Sequence, residues 1–537
     1  MLCNFRLMTL LCGSLCAAIA LGMVGGCSPE YYKAEADEEV YKIIDSKWQD
    51  SYGQKVNYIV SDVPPSPNDI QFEELVPSSK VLSLAEAVAI ATAQNRDYQK
   101  QKEDLYIKAL DLTLERHEFA RQWFGTIDAG YVRDSEDEKL EIDDAGTKLG
   151  FEQLLADGAL VSASLAIDWA RFLTGDPSTS LGSVLSASIT QPLLRGAGRR
   201  IAQENLTQAE RNALYQIRSF NRFRKEFVVS TVNDYYRVLQ QRDTVTNAKN
   251  NYKRVLKSKE RLEMELKAGI RTRIDVDEAE QNVLKGQNNH VEAQQRYEQK
   301  LDEFKIRLSL PTDADIELDQ NELNALEEIG ISEPDYTPAA AIETALLQRL
   351  DLANSIDQVD DAVRKVIVTA DGLGAELNLT GGIDVGSREK TDIDSLQFHD
   401  GTYTLGLSGD LPLDRKEERN IYRKAIIALE RQQREYDNKV DNVKLNVRQA
   451  YRQLKEKAET YRIQKMSLDL AERRVESNEL LLDAGRVPVR ILLESEDALV
   501  DAQNNVTAAL VDHAIAKLSF FRDVGILQIR PDGMWEQ

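Results

Sequence analysis

Apolar and polar positions change rhythm along this chain in a fixed order, and the order occurs twice. From Leu82 to about Trp123 the sequence is charged, free of glycine and helical in texture. From Gly125 to Gln191 glycine, serine and period-two alternation take over, as in Ser183-Val184-Leu185-Ser186-Ala187-Ser188-Ile189-Thr190, which predicts strands and turns. Arg199 to Lys267 is then unbroken helix former, and after a short glycine-containing break a further helix is predicted to about Leu308. The second half predicts a helix over 338–370, strands near 373–386 and 401–411, a long helix over 417–483, a break, and a helix over 489–523.

Short sequence matches support a tandem duplication. Ala87 to Tyr98 resembles Ala341 to Leu352 at an offset of 254 residues, and Thr190-Gln191-Pro192-Leu193 resembles Asp410-Leu411-Pro412-Leu413 at 220. Leu266-Lys267-Ala268-Gly269 matches Leu482-Asp483-Ala484-Gly485 at 216, an offset that also sets Tyr235 on Tyr451 and Asn288-Asn289 on Asn504-Asn505. The falling offset assigns about 34 extra residues to the first copy before Pro192. In the second long helix Val447, Leu454, Tyr461, Leu468, Val475 and Leu482 fall every seventh residue, a packing stripe of coiled-coil type. At ~1.5 Å per residue such a helix reaches about 100 Å, so the two shorter helices of each copy are read as stacked end to end beside the long one.

The 537 residues carry 67 Lys and Arg against 90 Asp and Glu, for a net charge of -23, which argues against a nucleic-acid partner. All four cysteines (Cys3, Cys12, Cys16, Cys27) lie in the first 27 residues, so nothing downstream forms a disulfide or a cysteine metal site. Arg6, an apolar run from Leu7 to about Val24, and Val24-Gly25-Gly26-Cys27 read as a secretory signal. The cysteine closing the small-residue run resembles a lipobox, whose thiol would carry diacylglycerol as the mature N-terminus. An ordinary signal peptide that happens to hold cysteine is the alternative. No later stretch of 18 apolar residues occurs, so any membrane span must be a closed β-barrel.

Ser83-Leu84-Ala85-Glu86-Ala87-Val88 with Asn95-Arg96-Asp97, Thr190 through Gly196, and Ala268 through Val276 with Glu278-Ala279-Glu280 together resemble the TolC-like outer-membrane efflux family, over residues 81 to 525. The resemblance implies an α+β membrane protein. It would be a homotrimer whose subunits each give four strands to a twelve-stranded outer-membrane barrel continuous with a long periplasmic α-helical barrel. Four strands cannot close, and open edges in lipid cost several kcal/mol per unpaired group, which independently asks for further copies. The expected domains are a lipoprotein signal peptide (1–26), a periplasmic extension after the anchor (27–80), the first repeat (81–310), an inter-repeat segment (311–337), the second repeat (338–525) and a tail (526–537). The surplus of the first copy, about Ser135 to Gly182, is expected as a loop at the extracellular end of the barrel, with Asp176-Pro177 surface-accessible.

By the same resemblance the two helix breaks form a periplasmic tip that docks an adaptor protein, with Gly269, Thr272, Gly485 and Pro488 as the docking positions. The plainer reading of both glycines is a helix C-terminal cap, and both readings can hold. Asp275 and Glu494 are carried over as acids of the pore entrance, against the plainer reading of acids as partners of a helix dipole. Ile491 and Val487 depart from the family pattern, and Arg486 and Arg490 oppose an acidic mouth. Cys27 is the expected lipidation site.

Enzyme motifs are absent. His117, His290, His399 and His513 are scattered, and Gly372 to Gly382 lacks the Lys-Ser/Thr of a phosphate loop. No catalytic residue, metal or cofactor is expected. The expected function is a passive outer-membrane conduit for small molecules or proteins, joined through a periplasmic adaptor to an inner-membrane pump, in a tripartite efflux or type I secretion system. The alternative is a lipid-anchored periplasmic coiled-coil scaffold without a pore.

Overall fold

The computed structural model describes residues 28–49, 52, 53, 55, 57–60, 77, 79–133, 141–172, 179–331, 336–387, 396–530 and 534. The signal segment, Cys27 and Asp176-Pro177 lie outside these residues. Two compact units are present. The first comprises Met1–Trp48, Tyr106–Leu214 and Gly374–Pro412, and the second Gln49–Leu105, Tyr215–Leu373 and Leu413–Gln537. Each repeat contributes to both.

The first unit holds helix α1 (Pro29–Lys47) and a sheet of β2 (Gln122–Arg133), β3 (Glu141–Leu154), β4 (Leu160–Phe172), β5 (Thr179–Pro192), β7 (Glu376–Gly386) and β8 (Thr402–Asp410). The strands lie in the order β2-β3-β4-β5-β7-β8, every neighbouring pair antiparallel. This corrects the expectation of four strands per chain: the sheet has six. Nor do the described residues of the first copy's surplus form an extended loop. Most of the surplus is the hairpin β3–β4, whose tight turn has the Leu155 N–H donating to Ala159 O at 2.7 Å.

The sheet has two chemically distinct faces, because side chains alternate along each strand. One register row crosses all six strands as Trp123, Phe151, Ala163, Ala187, Ile383 and Tyr403. Neighbouring rows on that face carry Leu149, Leu165, Leu185, Val385, Val161, Ile189, Leu405, Leu379 and Leu407. The rows between them carry Thr126 and Lys148, Glu152 with Ser162 and Ser188, Ser164 and Ser186, Thr190 and Thr380, and Asn378 with Ser408. Phe124 is an exception on the polar face and lies 5.7 Å beneath the Lys148 ammonium.

The second unit is helical apart from the short parallel pair β1 (Val81–Leu82) and β6 (Glu317–Leu318). It takes in α2 (Leu84–Gln94), most of α5 (Glu204–Lys267), α6 (Arg273–Arg307), α7 (Asn321–Ile329), α8 (Pro338–Gln348), α9 (Leu350–Asp371), α10 (Lys416–Asp483) and α11 (Val489–Val524). The helix expected from Leu82 to Trp123 is instead α2 followed by α3 (Arg96–Glu118), and Trp123 belongs to β2. Asn95 makes the break: its Oδ1 accepts from the N–H groups of Asp97 at 2.9 Å and Tyr98 at 3.1 Å, capping the second helix.

Side-chain geometry repeats with the sequence. Helices α2 and α8 begin 254 residues apart, as do α3 and α9, while α5 and α10 end 216 apart and α6 and α11 begin 216 apart. The rings of Tyr235 and Phe304 meet edge-on at 6.0 Å, and those of their counterparts Tyr451 and Phe520 at 6.1 Å. Asn95 Nδ2 donates to Arg307 O at 2.9 Å; Arg349, its counterpart, donates to Asp523 O at 3.3 Å. Of the heptad stripe, Val447, Leu454, Tyr461 and Leu482 are buried and Leu468 and Val475 half-buried.

Candidate functional site: the paired helix turns and the two-faced sheet

The two breaks carry the same geometry. At the end of α5, Gly269 has φ +74°, its N–H donates to Leu266 O at 2.9 Å, and Ile270 N–H donates to Glu265 O at 2.9 Å. At the end of α10, Gly485 has φ +70°, with Gly485 N–H to Leu482 O at 3.0 Å and Arg486 N–H to Leu481 O at 2.9 Å. Both are left-handed terminations in which the glycine turns the chain and satisfies the last carbonyls. A Cβ built on either glycine would meet no heavy atom within 4 Å.

The next helix starts differently in the two copies. Thr272 caps α6 in a capping box: its Oγ1 accepts from Asp275 N–H at 3.3 Å, and Asp275 Oδ2 accepts from Thr272 N–H at 3.0 Å and from Thr272 Oγ1 at 2.8 Å. Pro488 caps α11 without a side-chain bond, and its carbonyl accepts from Ile491 N–H at 3.1 Å. Asp275 therefore spends its carboxylate on the helix start. Glu494 is exposed and paired with Arg490 at 3.3 Å. Val487 packs on the core beneath the turns, and Ile491 is half-buried.

That core joins four helix ends: Val255, Leu262, Val276, Ala279, Val283, Leu482, Val489, Leu492 and Leu493. Truncating a buried leucine such as Leu492 to alanine costs ~2–5 kcal/mol in such a place. Over the core lies a polar network that the sequence did not reveal, since the two bonds that join the repeats span 211 and 222 residues. Arg271 donates through Nε to Glu265 at 2.9 Å and through Nη2 to Leu482 O at 2.7 Å, and Arg261 holds both Glu265, at 2.9 Å, and Asp483. Burial pushes the Glu265 carboxyl up, but the hydrogen bonds from Arg271 and Arg261 outweigh it and hold the group below its ordinary range. Of the positions carried over by resemblance, Gly269 and Gly485 end the two long helices, and Thr272 and Pro488 cap the helices that follow.

One helical turn further on, Glu496 is buried in α11 and its Oε2 has no hydrogen-bond partner among the described residues. Burial pushes its carboxyl up to about 7, with Arg254 pulling it down and Glu479 and Asp497 adding to the rise.

The sheet is the second candidate surface. Leu405 is 82% exposed and Leu407 64%, on the same face as Trp123 and Ile127 at 66% and 65%. Among the described residues the outer edges of β2 and β8 pair with no strand. No described helix is long and apolar enough to cross a membrane. No group of three or more His, Cys, Asp or Glu among the described residues could hold a metal ion.

Residues 341–520 match the outer membrane efflux protein family. Comparison of the whole sequence with curated proteins finds no match. Among solved structures the chain resembles CusC, studied for folding and transmembrane channel formation, at 14% identity and a TM-score of 0.60, over 87% of this chain and 98% of that one. It resembles the Campylobacter jejuni CmeC outer membrane channel at 15% identity and 0.59, over 89% and 91%, and the open-state Neisseria gonorrhoeae MtrE channel at 12% and 0.59, over 82% and 88%. At these identities the likeness is one of fold.

Proposed function

We propose, from the match of residues 341–520 to the outer membrane efflux protein family and from the fold, that this chain is the outer-membrane subunit of an efflux channel. Three copies would form a passive conduit, and an inner-membrane pump would drive cargo into it through a periplasmic adaptor. The observation that carries this reading is the two-faced sheet. An antiparallel sheet with one mainly apolar face and one mainly polar face suits lipid outside and water inside, provided its edges are joined. Strands of 9 to 14 residues match the span a tilted strand needs in a bilayer.

The paired turns suit the adaptor end. Gly269 and Gly485 leave backbone bare, so a partner helix can approach closely there. The polar network gives the two turns of one chain a fixed spacing for that contact. Asp275 and Glu494 are proposed at the pore entrance, each already engaged by Thr272 or Arg490, which moderates their pull on passing cations. Cys27, proposed as the lipidated first residue, would set the membrane surface one residue before α1 is capped at Ser28; Cys27→Ser should abolish palmitate labelling, and retained labelling would refute the anchor.

Arginine substitution tests the central assignment. A cation on the lipid face costs ~2–4 kcal/mol near the midplane, whereas one facing the lumen is solvated. Leu405→Arg should sharply reduce membrane-inserted protein, and Thr404→Arg, one residue away on the other face, should leave it near the parental level. Equal tolerance of both would contradict the reading.

A further inference from the structure

The first repeat gives the six-stranded sheet four strands where the second gives it two, and the added pair is β3–β4. We propose that this hairpin is part of the membrane wall, so that three chains close an eighteen-stranded barrel with a correspondingly wider pore. The inference rests on the channel reading above and sets its dimension.

Three observations place the hairpin in the wall. Its strands are paired along nearly their whole length on both sides, β3 with β2 from Gln122↔Glu152 to Arg133↔Glu141 and β4 with β5 from Leu160↔Thr190 to Arg171↔Thr179. They carry on both chemical faces of the flanking strands: Phe151, Leu149, Val161 and Leu165 extend the apolar rows, in which Thr147 and Gln153 are polar members, and Lys148, Glu152, Ser162 and Ser164 extend the polar ones. A flap lying in water, on either side of the membrane, has no use for an apolar face in register with Ile383 and Tyr403.

The turn of the hairpin is also built into the strand-to-helix junction. Gly198 N–H donates to Asp157 O at 3.0 Å. Gly158 has φ +94°, and a Cβ there would stand 2.9 Å from Gly196 O, 3.2 Å from Pro192 Cγ and 3.4 Å from Ala202 Cβ. The hairpin therefore descends to the end of the sheet from which β5 leads into α4 (Arg199–Ala202) and α5.

Two added strands leave closure intact. With an even number per chain, β8 of one copy still meets β2 of the next in antiparallel sense, whereas a single added strand would not allow it. Barrel diameter grows roughly linearly with strand number, so eighteen strands give a lumen about half again as wide as twelve and roughly twice the cross-section. Such a wall admits cargo bulkier than a twelve-stranded one would pass.

The test uses the full chain in proteoliposomes, with single cysteines placed along β4 and β8 and a water-soluble, membrane-impermeant maleimide; no cysteine follows Cys27 in the natural sequence, and the parent chain is the blank. On β8, Thr402→Cys and Thr404→Cys should label, and Tyr403→Cys and Leu405→Cys should label at least five-fold less. The proposal expects the same alternation on β4, with Ser162→Cys and Ser164→Cys labelled and Ala163→Cys and Leu165→Cys protected. Alternation on β8 with uniform labelling on β4 overturns the proposal and leaves the channel standing. Uniform labelling on both overturns the channel reading as well. Counting wall strands by electron cryomicroscopy of the unmodified trimer decides the same point without substitutions: eighteen supports the proposal, and twelve refutes it.

Discussion

The guanidinium of Arg271, in the turn that follows α5, donates to the backbone carbonyl of Leu482, in the last turn of α10, at 2.7 Å. The two residues are separated by most of a repeat, and this bond, with Glu265 and Arg261 behind it, fixes one turn against the other. Arg271→Ala should loosen that coupling without unfolding the helices, a local loss of ~1–3 kcal/mol for a charged, half-buried donor. Hydrogen exchange should rise several-fold at residues 266–272 and 480–487 and stay unchanged at 441–461. Lysine should rescue only partly, since it lacks the two-pronged donor that spans Glu265 and Leu482. Unaltered exchange in the alanine variant would mean that the apolar core beneath suffices.

Gly158 should be among the least replaceable residues of the sheet. Valine there meets both an unfavourable φ and the 2.9 Å approach of Gly196 O, which together exceed ~2 kcal/mol. Gly158→Val should lower the yield of membrane-inserted protein at least several-fold. Gly182→Ala, with open space around its Cβ, should not. Equal yields would show that the hairpin turn is free to move.

Glu496 makes a pH-dependent contribution whose sign follows from its raised carboxyl. The folded state holds its proton up to about pH 7, whereas the unfolded chain releases it near 4.5. The stability it contributes is full below about 4.5 and is lost as pH rises toward 7. Glu496→Gln removes that dependence, so the variant should gain on the parent by ~1–3 kcal/mol between pH 4.5 and 8. Chemical denaturation at both values checks it. The same difference at both pH values would mean that Glu496 does not titrate there.

Gly269→Trp and Gly485→Trp probe the docking surface. Both sites have space for a side chain, and the left-handed φ costs roughly 1–2 kcal/mol locally. The expected outcome is a parental level of assembled protein with export reduced tenfold or more. Loss of assembly would make the glycines caps and nothing else; full export would remove the tip as a docking site.

Local order was legible in the sequence where a local rule sets it. The ends of α10 at Asp483 and the start of α11 at Val489 fall where Gly485 and Pro488 place them, because a left-handed residue and a proline act on their own neighbours. The duplication was legible because it preserves spacing, down to Tyr235 and Tyr451. Strand number was not. The stretch Leu160 to Ile167 is rich in alanine and serine, which suit either face, so its alternation is weak, and a surplus of residues in a membrane barrel is by default assigned to a loop. What decides otherwise is pairing with β3 and β5, a non-local matter. The polar network was hidden for the same reason: Arg271 and Asp483 each read as an ordinary surface charge. The scaffold alternative loses its ground once Leu405, Leu407, Ile127 and Trp123 are seen on one face, since a water-bound tether would not leave that face bare.

Single-channel recording on the purified, detergent-extracted protein added to a planar lipid bilayer tests the account most directly. A channel subunit should give long-lived, stepwise conductance that scales with salt concentration, abolished by Leu405→Arg and retained by Thr404→Arg. Protein that inserts into or binds the bilayer in assembled form and yet passes no current under any applied voltage would contradict the account.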